Sequence, residues 1–141
     1  MKLLRKCTQG AVAAGIGAMA SLSGCVMGIQ PGGDSPTVTY TVPRSYQVVY
    51  LRAQNQANEC LRGKNQYTVH AKVDPELQAG VVSVRGPVGG AEVARTELKA
   101  SDARHTEITQ TVWGHAPWDQ NALNAMRESV WLDTSVCFVY K

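Results

Sequence analysis

The chain has 141 residues and a mass of 15.2 kDa, with 14 basic and 11 acidic residues that give a formal net charge of +3. This length allows one small domain and excludes most multidomain enzymes. Apolar residues make up 44% and charged residues 18%, which excludes a disordered charged tail and a membrane protein with several spans.

The N-terminus has the pattern of an export signal. Lys2, Arg5 and Lys6 precede an uncharged stretch from Cys7 to Gly24 that is rich in Ala, Gly and Val. A charged start followed by a short apolar run is typical of a signal peptide. The run is too short and too rich in Gly, Ser and Thr for a lasting transmembrane helix, which needs roughly 20 mostly apolar residues. We therefore predict a signal peptide over 1–24.

The uncharged stretch ends in Leu22-Ser23-Gly24-Cys25. This sequence resembles the lipobox of bacterial lipoproteins, in which an aliphatic residue and two small residues precede a cysteine. The resemblance implies that residues 1–24 are removed and that Cys25 carries acyl chains such as palmitate as a membrane anchor. Val26 follows where aspartate would imply inner-membrane retention, so the resemblance implies the outer membrane. The alternative is an ordinary secretory signal, with Cys25 free or disulfide-bonded.

Residues 25–36 are rich in turn formers and predict a flexible tether that carries the lipidated cysteine and keeps the domain near the bilayer. Periplasm-facing and surface-facing orientations both stay open. A single domain is predicted over 37–141. It begins with a strand from Thr37 to Val42, followed by an amphipathic helix between Arg44 and Arg62, where apolar residues recur at spacings of three and four.

Strands dominate the middle of the domain. Residues alternate from Tyr67 to Val73, and three further strands are predicted from Val81 to Arg85, from Ala91 to Leu98 and from His105 to Trp113, with a turn from Lys99 to Ala103. Short connections favour an antiparallel meander. Asp119 is the predicted N-cap of a second helix that ends near Trp131, and Ser135 to Tyr140 is a candidate last strand.

These elements predict an α+β fold: an antiparallel four- to five-stranded sheet with two amphipathic helices on one face. Cys7 leaves with the signal peptide and Cys25 takes lipid, so Cys60 and Cys137 remain in the domain. An even pair in an oxidising compartment predicts one disulfide, with two buried thiols as the alternative. The absence of a Cys-x-x-Cys sequence disfavours a redox pair.

Charge excludes one class of partner. Removal of residues 1–24 leaves 11 basic residues of the original 14 against 11 acidic residues, so the mature chain is formally neutral. No cluster of Lys or Arg remains to bind a nucleic acid or a strongly anionic surface. We therefore expect no nucleic-acid partner.

Catalytic and metal-binding patterns are weak. His70, His105 and His115 have no second ligand at the spacing that a metal site needs. The sequence Gly15-Ile16-Gly17-Ala18-Met19-Ala20 matches a dinucleotide fingerprint only formally, because it lies in the export signal with no strand before it. We expect no metal, no cofactor and no catalytic residue, and the protein is predicted not to be an enzyme.

One loop contains a group of side chains suited to binding a partner. Trp113, His115 and Trp118 lie between the last predicted strand and the second helix. Tryptophan is enriched at interfaces, and loops on a rigid scaffold often carry binding residues. The alternative is that these indoles belong to the core, since the chain has only one Phe.

Two functions remain after these exclusions. The first is a membrane-anchored lipoprotein of the bacterial envelope that acts without catalysis as a binding or assembly accessory, with an envelope protein or a cell-wall component as its partner. The second is an inhibitor of a secreted hydrolase such as lysozyme. Lipoproteins of the inhibitor type are usually richer in strands, which favours the first function.

Overall fold

The computed structural model of the protein describes residues 27–87, 90–132 and 134–138. The predicted signal peptide at 1–24 and the predicted lipidation site Cys25 lie outside these ranges. Within them, no helix is long and apolar enough to cross a membrane.

The described ranges form one antiparallel sheet and two helices. The elements follow the order β1 (Thr37–Val42), α1 (Tyr46–Cys60), β2 (Thr68–Asp74), β3 (Ala79–Arg85), β4 (Glu92–Asp102), β5 (His105–Val112) and α2 (Gln120–Trp131). The strands lie side by side as β1-β5-β4-β3-β2, and each neighbouring pair is antiparallel. The predicted α+β fold and the meander from β2 to β5 are confirmed.

β1 lies at one edge of this sheet. It pairs with β5, with Thr37 opposite Thr111 and Val42 opposite Thr106. Helix α1 then carries the chain across the sheet to β2 at the other edge. Among the described residues, the first strand and the last strand are therefore neighbours in the sheet.

Both helices cover the same face of the sheet. In β5 the alternation places Thr106, Ile108, Gln110 and Val112 in the interior while His105 and Glu107 stay exposed. Helix α1 packs mainly against β2, β3 and β4, and α2 packs against β5 and β1. The N-cap of α2 is confirmed, because the Asp119 carboxylate accepts hydrogen bonds from the backbone N–H groups of Asn121 and Ala122.

β4 extends beyond its predicted end. The predicted turn from Lys99 to Ala103 is wrong, because β4 continues to Asp102 and pairs with β5 as far as His105. The Asp102 carboxylate accepts a hydrogen bond from the backbone N–H of Arg104 at 2.8 Å and closes a tight hairpin. Backbone pairing continues here although Ala100 and Ser101 lack the apolar alternation of a strand.

The C-terminal segment crosses the helices instead of joining the sheet. The backbone N–H of Val136 donates to the Ser129 hydroxyl at 2.7 Å, and the Gln56 amide donates to the Val136 carbonyl at 3.2 Å. The predicted last strand is therefore wrong over 135–138, while residues 139 and 140 lie outside the described ranges. The predicted disulfide is present: Cys137 is bonded to Cys60 at the end of α1.

A chain of hydrogen bonds joins polar side chains under the helices. The Tyr40 hydroxyl donates to Gln110 Oε1 at 2.9 Å, and Gln110 Nε2 donates to Thr96 Oγ1 at 3.4 Å. Gln110 is only 1% exposed, so its amide depends on these two partners. Burial raises the pKa of Tyr40 well above its usual range, although the positive charge of Arg127 acts in the opposite direction.

Removal of the Tyr40 hydroxyl tests this polar chain. We expect Tyr40→Phe to lower the free energy of unfolding by about 1–3 kcal/mol, because the buried Gln110 carbonyl loses its donor. The matched control is Thr39→Val, which removes a hydroxyl pair with Thr109 on the exposed face and has a smaller effect. Urea denaturation measures both variants, and equal losses would contradict the assignment.

Candidate functional site

The residues before β1 are held against one end of the sheet. Met27 packs against the larger apolar cluster of the core, which contains Trp118 and Leu61. The backbone N–H of Ile29 donates to the Glu92 carbonyl at 2.7 Å, and the Pro36 carbonyl accepts a hydrogen bond from Val112 N–H at 3.0 Å. From Met27 onward, the segment expected to be a flexible tether is thus fixed to the domain by backbone hydrogen bonds and by partial burial of Met27.

Gly28 permits this close approach. Its φ is +99°, and a Cβ at this position would lie 2.7 Å from the Glu92 carbonyl oxygen. Both the backbone conformation and the missing side chain are therefore required where the segment meets β4.

The candidate loop starts beside this segment. Trp113 is half-buried, and its backbone N–H donates to the Val93 carbonyl at 2.9 Å. Its ring centroid lies 4.5 Å from that of the exposed His115, at an interplanar angle of 45°. Gly114 between them has a φ of +98°, and a Cβ there would lie 3.1 Å from Pro36 Cδ. The loop and the N-terminal segment therefore form one continuous surface.

Trp118 belongs to the core instead. Its side chain is 4% exposed, its indole N–H donates to the Leu61 carbonyl at 2.9 Å, and its ring lies 4.1 Å from that of Tyr67. Two backbone hydrogen bonds of 2.8 Å, which link Trp118 to Gly114 and to His115, close the loop. The candidate loop is thus divided: Trp118 holds the loop on the core, Trp113 is half-buried against the same apolar cluster and borders the surface, and His115 is exposed.

A groove runs between the loop and the N-terminal segment. We call it the Trp113 groove; its volume is about 350 Å³, and it is lined by Gly28, Gln30, Gly33, Asp34, Ser35, Pro36, Trp113, Gly114 and His115. It combines an indole face, an imidazole and a carboxylate. Such groups can stack on a ligand and hydrogen-bond to it without carrying out chemistry on it.

Sequence reasoning missed the half of this groove that the N-terminal segment supplies. The turn formers at 30–36 predicted a flexible tether, although Met27 and Ile29 lie on either side of a glycine. An apolar pair around a glycine, in the segment that precedes β1, was the available signal for docking. It is a weak signal, because the partner of Ile29 is a backbone carbonyl of β4 and leaves no trace in the sequence.

Charged side chains on the adjacent outer face of the sheet are largely paired. The carboxylate of Glu92 lies 3.7 Å from Arg85 and 3.2 Å from Arg95, and Arg95 lies 2.8 Å from Glu97. Burial lowers the pKa of Arg95, but the hydrogen bond that its guanidinium donates to Glu97 and the charge of Glu92 outweigh this effect, so the pKa is raised. This cluster is an ion-pair network on the surface of the sheet and leaves little net charge there.

The histidines are dispersed. His70 is exposed on β2, His105 lies in the β4–β5 hairpin and His115 borders the Trp113 groove. Among the described residues, no group of three His, Cys, Asp or Glu side chains could hold a metal ion.

The hairpin carboxylate offers a pH prediction. The hydrogen bond from Arg104 N–H, followed by that from His105, lowers the pKa of Asp102 below its ordinary value of 3.8. Because this pKa is depressed in the folded state, its stabilising contribution is present above the ordinary value and is lost as the pH falls through the depressed value. We expect NMR titration of the Asp102 carboxyl carbon to show the low midpoint. In His105→Ala the midpoint rises partway toward 3.8, and an unchanged midpoint would contradict the contribution of His105.

Comparison of the chain with protein-family models, curated proteins and solved structures found no match. Function is therefore inferred from the residues themselves.

Proposed function

We propose that this protein is a lipoprotein of the bacterial envelope, anchored in the outer membrane through acyl chains on Cys25, and that it acts as a non-catalytic binding or assembly accessory. The observation that carries the proposal is the Leu22-Ser23-Gly24-Cys25 sequence, which precedes a domain that is cross-linked by the Cys60–Cys137 disulfide. One feature supports lipid attachment after export, and the other supports an oxidising compartment.

The disulfide supports export independently of the lipobox. Stable disulfides persist in the periplasm and outside the cell, whereas cytosolic thiols are kept reduced. Cys60 and Cys137 are 77 positions apart and are bonded to each other, so neither supplies a free thiol for catalysis. Because Cys60 and Cys137 are bonded to each other, Cys25 is the remaining cysteine of the proposed mature chain.

The acyl chains that the lipobox implies are sufficient for stable membrane binding. A single acyl chain gives marginal and reversible membrane binding, whereas two or more give a stable anchor. Val26 after Cys25 supports delivery to the outer membrane. We assign the binding role to the surface side chains of the candidate loop, Trp113 and His115, because Trp118 is enclosed in the core.

Replacement of the lipobox cysteine tests the proposal. In a Gram-negative host, we expect the full chain to incorporate labelled palmitate and to fractionate with the outer membrane. Cys25→Ser loses both properties, because serine has no thiol for the diacylglyceryl group. Cys7→Ser is the matched control, since it removes a cysteine outside the lipobox, and it keeps both. Label on Cys25→Ser, or a wild-type chain without label, would contradict the proposal.

An inhibition assay separates the accessory role from the hydrolase inhibitor. We expect the detergent-solubilised mature protein to leave lysozyme activity unchanged at stoichiometric excess. Inhibition of lysozyme would instead favour the inhibitor function while leaving the lipid anchor intact.

A further inference from the structure

The proposed lipid attachment point is close to a fixed position on the domain. Cys25 is two residues before Met27, and two extended residues span no more than about 7 Å. Met27 itself packs on the core cluster, and Ile29 is hydrogen-bonded to Glu92. Acyl chains on Cys25 would therefore emerge within a few ångströms of one particular end of the sheet.

This end, which we call the Met27 end, contains the starts of β1, β2 and β4 and the ends of β3 and β5. Thr37 lies opposite Thr111, and Arg85 pairs with both Thr68 and Glu92. The opposite end contains the β2–β3 and β4–β5 turns and the end of α2. The eight residues of β5 separate the two ends by about 27 Å.

Charge does not decide which end a bilayer surface approaches. The connections at the Met27 end include 28–36, 61–67 and 113–118, which contain Asp34, Arg62 and Lys64, and Glu92 at the start of β4 lies 3.7 Å from Arg85 at the end of β3. The turns and the helix end at the opposite side contain Asp74, Glu76, Asp102, Arg104, Arg127 and Glu128. The orientation of the domain therefore depends on the short connection between Cys25 and Met27.

Two aromatic side chains, Trp113 and Phe138, lie at the Met27 end, while the exposed Trp131 lies at the opposite end. Trp113 and His115 border the groove beside the N-terminal segment. Phe138 is 71% exposed and follows Cys137, whose disulfide holds it at the end of α1, where Cys60 packs on the same cluster as Met27. Side chains with an apolar body and a polar tip, such as Trp, favour the boundary between lipid and water.

We propose that the Met27 end of the domain rests on the bilayer, with Trp113 and Phe138 at the level of the lipid headgroups. This inference depends on the proposed lipidation of Cys25 and names the partner of the Trp113 surface as the membrane that holds the anchor. The short connection brings the surface to the bilayer, where the exposed Phe138 and the half-buried Trp113 can contact the headgroups. The opposite end then faces away from the membrane.

The three tryptophans provide the test. Trp113 lies at the Met27 end, Trp118 lies in the core, and Trp131, which is 45% exposed, lies at the opposite end. The lipidated full-length mature protein is reconstituted in phosphatidylethanolamine–phosphatidylglycerol vesicles that contain lipids brominated on the acyl chains, which quench tryptophan fluorescence on contact. We expect quenching in the wild type, loss of most of it in Trp113→Phe and retention in Trp131→Phe.

A second pair of variants reports from exposed positions. Phe138→Trp places an indole at the Met27 end, and Leu77→Trp places one at a matched position, 65% exposed, in the β2–β3 turn. Both are measured in the Trp113→Phe background. We expect Phe138→Trp to gain quenching and Leu77→Trp to gain none, so the result does not depend on how far Trp113 itself is buried.

Three quenching results would overturn the inference while leaving the lipid anchor in place. Quenching of Leu77→Trp equal to that of Phe138→Trp would mean that the domain has no fixed orientation. Quenching that is lost in Trp131→Phe but kept in Trp113→Phe would mean that the end opposite to the Met27 end faces the bilayer. A lipidated protein that floats with the vesicles without any quenching would assign the Trp113 surface to a protein or cell-wall partner. The intact mass identifies a fourth case, a mature chain without lipid, which overturns the lipoprotein proposal and this inference with it.

Discussion

We expect the double variant Cys60→Ser and Cys137→Ser to lose about 4 kcal/mol of unfolding free energy, because the disulfide closes a long loop in the unfolded chain. The two cysteines are 77 positions apart. A domain of this size has a total stability of about 5–15 kcal/mol, so the loss is a large fraction. Urea denaturation of the mature domain measures it.

Reduction of the wild-type protein provides the control. A reductant should lower the wild-type urea midpoint toward that of the double variant and leave the variant itself unchanged. The segment over 134–138 should also become protease-sensitive in the variant, since Ser129 and Gln56 would then hold it by hydrogen bonds alone. Equal midpoints for the oxidised wild type and the double variant would contradict a stabilising role of the disulfide.

The second large effect is expected at Trp118. Trp118→Ala should cost about 3–5 kcal/mol, because it empties a core site and removes the indole donor to the Leu61 carbonyl. Trp118→Phe keeps much of the packing and should cost less. Urea denaturation of the two variants separates the contribution of ring volume from that of the hydrogen bond.

Trp113→Ala is the matched substitution at the surface of the same loop. Its side chain is half-buried and contacts the tilted ring of the exposed His115, so its removal should cost clearly less than that of Trp118. A larger loss at Trp113 than at Trp118 would contradict the division of the loop into a core residue and surface residues.

Local rules predicted much of the fold. The period-two alternation of β5 places Ile108 and Val112 in the interior, and Asp119 caps α2 through its carboxylate. The number of cysteines predicted the Cys60–Cys137 bond, because only these two remain once Cys7 is assigned to the signal peptide and Cys25 to lipid attachment. Each of these inferences depends on a pattern within one segment or on a simple count.

The features that sequence reasoning missed depend on long-range contacts. The alternation in Thr37–Val42 predicts a strand but does not reveal that its neighbour is β5. The C-terminal segment alternates like a strand, yet the Ser129 hydroxyl and the Gln56 amide hold it on the helices. Turn formers at 30–36 predict a tether, whereas Gly28 and Ile29 dock it on β4.

The same limit applies to the candidate site. The sequence placed Trp113, His115 and Trp118 in one loop, but burial separates them, because Trp118 donates into the core at Leu61. The other wall of the Trp113 groove comes from residues far away in sequence, such as Gln30 and Asp34. Only the folded chain brings the two walls together.

The mass of the mature N-terminus shows whether Cys25 carries the proposed lipid. The protein is extracted from membranes, digested and analysed by mass spectrometry. We predict an N-terminal peptide that begins at Cys25 and carries a diacylglyceryl group with a further acyl chain on the α-amino group. A peptide that begins at another residue, or one that begins at an unmodified Cys25, would contradict the proposed lipid anchor.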